Sequence, residues 1–176
     1  DYDEIMAQEA NQFIEKSQKD GKPFFLWFCP TRMHQATHVS EKWRGKSGHS
    51  EYADGLMQLD FVVGQLLDKL QTLGLEENTI VLFTSDNGTN AAHWPDAGAA
   101  AFRGEKGTTW DGGFRVPMLA QGKGKIPAGT YSGGFMTSED WVPTLLSALG
   151  DTSAVSDYKK GKDGYNVHLD GYNQLG

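Results

Sequence analysis

One cysteine, Cys29, stands in a chain of 176 residues, so an intramolecular disulfide framework is excluded, although the compartment is left open. No apolar run approaches the ~20 residues that a membrane-spanning helix needs. Residues 1–20 also lack the apolar core of a secretory leader. Lys and Arg form no conspicuous cluster and the net charge is −7, which argues against a general nucleic-acid binder, because phosphate-backbone binding needs a basic surface. A local basic site within an acidic chain is compatible with all of this. Neither an internal repeat nor a second domain is visible.

With 38% hydrophobic and 22% charged residues, the composition allows one domain with a real core. Of the 22 glycines, many fall between positions 98 and 134, which predicts long shaped loops, where function often sits. Residues 1–20 read as an amphipathic helix with Ile5, Met6, Ala10, Phe13 and Ile14 on one side. So abrupt an opening leads us to expect a natural amino terminus further upstream. Phe24 to Cys29 is an almost wholly apolar run that suits a strand buried on both faces, ended by Pro30, with Cys29 as a buried strand-end residue. Thr31 to Ser50 reads as a loop crossing the carboxyl end of that strand. From Glu51 to Leu73, Tyr52, Leu56, Leu59, Val63, Leu66, Leu67 and Leu70 recur at helical spacing, and Gly74 is the stop. Thr79 to Thr84 reads as a second buried strand and Val116 to Ala120 as a further short one. Ser138 caps an expected helix that ends at Gly150, and the residues after it are polar and Gly-rich. Strand, helix, strand order with buried strands predicts an α/β fold, a mostly parallel or mixed sheet flanked by helices. Ligands in such sheets collect beyond the carboxyl ends of strands.

Two segments carry chemistry. Residues 102–117 place Lys106 among glycines, with Arg103 and Arg115 on either side. Glycine permits unusual turns and close backbone approach, lysine supplies a mobile point charge and arginine a planar fork, so the segment suits an anion. Taken alone it is equally a Gly-rich surface turn. The second segment is the end of the strand at Thr84, followed by Ser85-Asp86-Asn87-Gly88, which delivers a carboxylate and an amide oxygen of the kind hard cations take. Taken alone, Asp-Asn-Gly is a common turn.

Together with Pro23-Phe24-Phe25-Leu26, Met33-His34 and Asp140-Trp141-Val142-Pro143-Thr144-Leu145, these segments occur in the order and approximate spacing of the sulfatases. The chain resembles the middle of an arylsulfatase-type member of that family, within the alkaline phosphatase superfamily. The resemblance spans most of residues 20–150. It implies an incomplete alkaline-phosphatase-like fold, a single partial domain over 1–176 with its core at 20–150 and a polar tail at 151–176. It further implies hydrolysis of a sulfate ester, Asp86 and Asn87 as ligands of a divalent cation, usually Ca2+, and Lys106 and His34 as catalytic contacts to the sulfate or the leaving oxygen. Arg103 is a further candidate substrate contact. Relatives are commonly periplasmic or secreted. His38 is a poorer second candidate for the place of His34, and His49, His93 and His168 read as surface or structural. Arg115 reads as a buttress of the glycine loop acting through carboxylates.

The family's nucleophile, a formylglycine made from cysteine in a Cys-x-Pro-x-Arg motif, has no counterpart here. Cys29-Pro30-Thr31-Arg32 imitates it, but Pro30 and Arg32 each stand one place early. The amino-terminal aspartate pair of the metal site is also lacking. The expectation is a chain that carries half of a metal and sulfate site, is inactive alone, and associates with itself or a complementary chain through an exposed sheet edge. Two alternatives stand beside it. A phosphodiesterase or phosphonate hydrolase of the same superfamily would show itself by preferring phosphate esters. A non-catalytic module binding sulfated glycans through Lys106 would have a genuine start just before Asp1.

Overall fold

The structure, a computed structural model, describes residues 2–98, 101–165 and 167–175. The first helix, α1 (Tyr2–Lys19), buries Asp3, Ala7, Ala10 and Ile14, spaced so that all four lie on one stripe. That stripe is rotated from the expected one, since Ile5 and Phe13 are exposed. The small alanines are what let α1 lie against α2 (Glu51–Thr72). Phe13 instead meets the ring of Phe24 edge-on, centroids 6.1 Å apart.

Helix α2 begins where expected. The Ser50 hydroxyl accepts the Ala53 N–H at 3.2 Å and satisfies one of the unpaired donors of the first turn. Its amino-terminal half is the frame on which residues 31–50 are laid. The Asp54 carboxylate accepts the N–H groups of Gly45 (2.6 Å) and Ser47 (2.7 Å), and Gln58 Oε1 accepts that of Ser40 (3.3 Å). At the other end of this loop, buried Asp3 accepts the N–H and hydroxyl of Thr31, both at 2.8 Å, and pairs with Arg32 Nη1 at 2.6 Å.

Residues 24–29 do not form the expected buried strand. Among the described residues no strand lies beside them to take up their N–H and C=O groups, and the run stays extended but unpaired. A period-2 alternation survives: Phe24, Leu26 and Phe28 are half-buried, whereas Phe25 (74%), Trp27 (81%) and Cys29 are exposed. Cys29 is therefore not the buried residue expected of a strand end.

The sheet also differs from expectation. It has two strands, β1 (Val81–Thr84) and β2 (Met118–Gln121), paired antiparallel with Val81 opposite Gln121 and Thr84 opposite Met118. A parallel pair needs a crossover that returns the chain to the same edge. Here the segment after Thr84 folds back through loops and the short α3 (Asp111–Phe114), so β2 enters from the opposite end. Residues Phe83 and Thr84 and all of β2 are exposed, so these strands are not the doubly buried ones the apolar composition suggested.

Residues 1–128 and 129–176 form separate compact units. In the second, a 3-10 turn at Ser138–Asp140 leads into α4 (Trp141–Ala148), followed by α5 (Ala154–Lys159). The cap is Thr137, one residue before the expected Ser138, in a reciprocal box with Asp140. The Asp140 carboxylate also accepts the Tyr172 N–H and the Gln174 amide, each at 2.8 Å, and so ties residues 172–174 to the start of α4.

Candidate active site

Three loops converge on one place in the first unit: residues 31–37, residues 85–92 after β1, and residues 103–113. Their convergence depends on glycine. A Cβ on Gly88 would stand 1.8 Å from the carbonyl oxygen of Gly112, and a Cβ on Gly112 would stand 2.1 Å from that of Gly104. Only hydrogens fit between these backbones. Within the stack Gly88 N–H donates to Gly113 O, and Gly112 N–H to Arg103 O, both at 2.8 Å. The amides of Gly88, Gly112 and Gly113 are thus committed to protein carbonyls, the last to Trp110 O at 2.8 Å.

The central side chains are His34 and Lys106. Lys106 Nζ lies 3.3 Å from His34 Nε2, across 72 residues of sequence. His34 Nδ1 lies 3.0 Å from the Gln35 carbonyl, which can only accept, so Nδ1 carries the proton and Nε2 takes a hydrogen from the ammonium. The backbone around His34 is held by its N–H to Thr31 O (2.9 Å) and by the Thr37 hydroxyl to its carbonyl (2.6 Å). Lys106 is held by its N–H to Thr89 O at 2.8 Å. Among the described residues no carboxylate pairs with its ammonium, so that charge is available to a ligand. The structure brings His34 and Lys106 side by side.

Asp86 and Asn87 lie immediately beyond β1, three and two residues before Thr89. The Asn87 amide nitrogen donates to Asp86 Oδ1, which turns Asn87 Oδ1 away from that pair. Asn87 Oδ1 and the second Asp86 oxygen have no partner among the described residues. Among the described residues no group of three or more His, Cys, Asp or Glu gathers in a way that would hold a metal, here or elsewhere. The Arg103 guanidinium carbon lies over the Trp110 ring, 3.9 Å from its centroid, at the exposed rim of the loop. Arg115 lies 4.1 Å from the centroid of Phe102 and so supports the loop through an aromatic face, not through carboxylates as expected. His38 contributes its backbone carbonyl to Arg32 Nη2 at 3.0 Å, while His93 Nδ1 lies 3.3 Å from Asn90 Oδ1.

Two contacts had no signature in the sequence. Asn90 donates to Gln35 Oε1 at 3.2 Å, which joins the His34 loop to the loop of Asp86 and Asn87. Glu105 Oε2 accepts the N–H groups of Ala91 (2.7 Å) and Ala92 (3.3 Å), which joins the latter loop to that of Lys106.

Comparison with known proteins gives a consistent picture. The sulfatase family profile matches residues 1–151. N-acetylgalactosamine-6-sulfatase of Canis lupus familiaris is 37% identical over 149 residues, covering 84% of this chain and 28% of the relative. Human arylsulfatase A is 34% identical over 142 residues, covering 80% of this chain and 28% of the relative. Among solved structures, the PsFucS1 sulfatase from Pseudoalteromonas sp. superposes with a TM-score of 0.86 at 34% identity, covering 98% of this chain and 33% of that one. The chain therefore spans less than a third of the length of these relatives.

Proposed function

The chain belongs to the sulfatase family, and from that footing we propose that it supplies part of the catalytic site of a sulfuric ester hydrolase. The observation that carries this reading is the approach of Lys106 Nζ to His34 Nε2, 3.3 Å apart at the mouth of three converging loops. Lys106 would hold a non-bridging sulfate oxygen by charge. An anion accepting from Lys106 would release His34 Nε2 from the ammonium, and the imidazole could then take up a proton from solvent at Nε2 and pass it to the oxygen of the departing alcohol. Arg103, over the Trp110 ring at the rim, would offer guanidinium donors to the substrate.

The donors of Asp86 and Asn87 fit a hard divalent cation such as Ca2+, because both are oxygens and their mutual hydrogen bond gathers them at one strand end. These two residues would hold such an ion, which when bound would add positive charge beside the sulfate oxygens. Two donors fall short of the roughly six to eight oxygens that calcium takes. The formylglycine nucleophile implied by the family also has no counterpart in these residues. The isolated chain should therefore bind a sulfate group without turning an ester over.

The test is a titration of the isotope-labelled chain with inorganic sulfate, read at the His34 imidazole by NMR against chloride at matched ionic strength. We expect saturable, sulfate-dependent movement of the His34 signals that Lys106→Ala abolishes. An unchanged His34, or an equal response in Lys106→Ala, would overturn the reading. Phosphate in place of sulfate separates the sulfatase from the phosphodiesterase reading, which requires phosphate to bind more tightly. Ester hydrolysis by the purified chain alone would refute the expected lack of turnover.

A further inference from the structure

We propose that Glu105 is the positioning residue of the site: its carboxylate clamps the loop that follows Asn87 and thereby sets where Lys106 presents its charge. Three observations support this. Glu105 Oε2 accepts from two consecutive backbone donors, Ala91 N–H at 2.7 Å and Ala92 N–H at 3.3 Å. The next residue, Lys106, is held to the same loop by its N–H to Thr89 O at 2.8 Å, so the Glu105-Lys106 pair grips residues 89–92 with both a side chain and the backbone. The Glu105 N–H in turn lies 3.1 Å from Thr108 Oγ1, whose hydroxyl donates back to the Glu105 carbonyl at 2.7 Å, closing the lysine turn upon itself.

The chemistry of the position explains why a carboxylate serves here. A glutamate next to the site's lysine would ordinarily neutralise it and compete with any anion. Glu105 is half-buried with its accepting oxygen turned to two amides, and Lys106 Nζ meets the His34 imidazole instead. The negative charge is used to pin the backbone and the positive one stays available. Two amides on one carboxylate oxygen also need reach: a side chain one methylene shorter holds its oxygens closer to its own backbone and should lose one or both amides, whereas a glutamine oxygen can still accept. Glu105 touches neither ligand nor reacting atoms and acts through Lys106. The functional half of this inference rests on Lys106 being the sulfate contact, while its structural half does not.

The experiment compares Glu105→Ala, Glu105→Asp and Glu105→Gln in the full chain. It reads amide hydrogen exchange at Ala91 and Ala92, with Val62 in α2 as the internal reference, and sulfate affinity at the His34 imidazole. Hydrogen bonds to charged acceptors carry enough free energy that Glu105→Ala should speed exchange at both amides by about tenfold or more and weaken sulfate binding by a comparable factor. Glu105→Asp should resemble it, and Glu105→Gln should stay within a few-fold of the parent in both readouts. Parent-like exchange and affinity in Glu105→Asp with loss of both in Glu105→Gln would overturn the proposal, since charge and not reach would then matter. So would faster exchange in Glu105→Ala with sulfate affinity unchanged. If Glu105→Ala fails to fold, the Asp and Gln pair decides alone. If the parent itself ignores sulfate, the proposed sulfate contact of Lys106 fails, and the clamp is judged by exchange at Ala91 and Ala92 together with the His34 Nε2 shift that reports contact with Lys106.

Discussion

Gly88 and Gly112 meet backbone to backbone, with 1.8 Å between the place a Cβ would take on Gly88 and the carbonyl oxygen of Gly112. Neither partner is a flexible side chain tip, so nothing inexpensive can yield. Gly88→Ala should force the loop carrying Asp86 and Asn87 away from the loop carrying Lys106, at a cost of roughly 1–3 kcal/mol or more. Urea unfolding gives the stability change, and NMR should show altered signals at Lys106 and His34. Parent-like stability with unmoved His34 signals would show that the two loops do not need this approach.

The assigned tautomer of His34 makes a separate prediction. With Nδ1 donating to Gln35 O and Nε2 accepting from Lys106, the 15N spectrum of the parent should show a neutral ring protonated at Nδ1. In Lys106→Ala the Nε2 signal should move while Nδ1 stays. A ring protonated at Nε2 in the parent would contradict the contact as described.

Asp3 links the stability of this region to pH. Burial alone pushes its carboxyl up, but the Thr31 N–H, the Arg32 guanidinium and the Thr31 hydroxyl outweigh burial and hold it below its ordinary value of 3.8. A carboxylate whose folded value is depressed contributes its full stabilisation above the ordinary value and loses it as pH falls through the folded one. Unfolding followed from pH 7 downward should therefore show an acid limb that Asp3→Asn flattens. Because the pair with Arg32 is buried, Asp3→Ala should cost about 3–5 kcal/mol at neutral pH. An acid limb of undiminished slope in Asp3→Asn would assign the pH dependence to other groups.

In the second unit, Asp140 holds the chain end. Hydrogen bonds from the N–H groups of Tyr172 and Thr137, with that of the Gln174 side chain, outweigh burial and lower its carboxyl pKa. Replacing it with alanine removes two ties to residues 172–174, although the Gln174 N–H would still reach Thr144 Oγ1 at 3.0 Å. Limited proteolysis should cut Asp140→Ala within residues 165–175 well before the parent. Equal digestion rates would mean that the tie through Thr144 suffices.

Helices were legible from periodicity, and α2 was legible from its first residue, Glu51, to within one residue of its end, because 3.6-residue stripes are local. The strands were not, because an apolar run reports burial only if a neighbouring strand exists to pair with it. Phe24 to Cys29 and Thr79 to Thr84 look alike in composition, yet only the latter acquires a partner among the described residues, and an antiparallel one. At the site, Lys106, His34, Asp86 and Asn87 stood out through residue type and order. Their fasteners did not: Asn90 and Gln35 lie 55 residues apart, and Glu105 looked like one more surface acid beside a lysine. Stacked glycines were visible as glycines, but which backbone each one faces is a property of the folded loops.

The alternation along residues 24–29 also governs how the chain behaves at high concentration. Phe25 and Trp27 point outward at 74% and 81% exposure, and the net charge of −7 opposes the approach of such surfaces to one another. That repulsion vanishes near the isoelectric point of about 5.1. Colloidal stability should therefore be lowest around pH 5, above the range in which Asp3 begins to titrate, so the acid limb of Asp3 is best followed at low protein concentration.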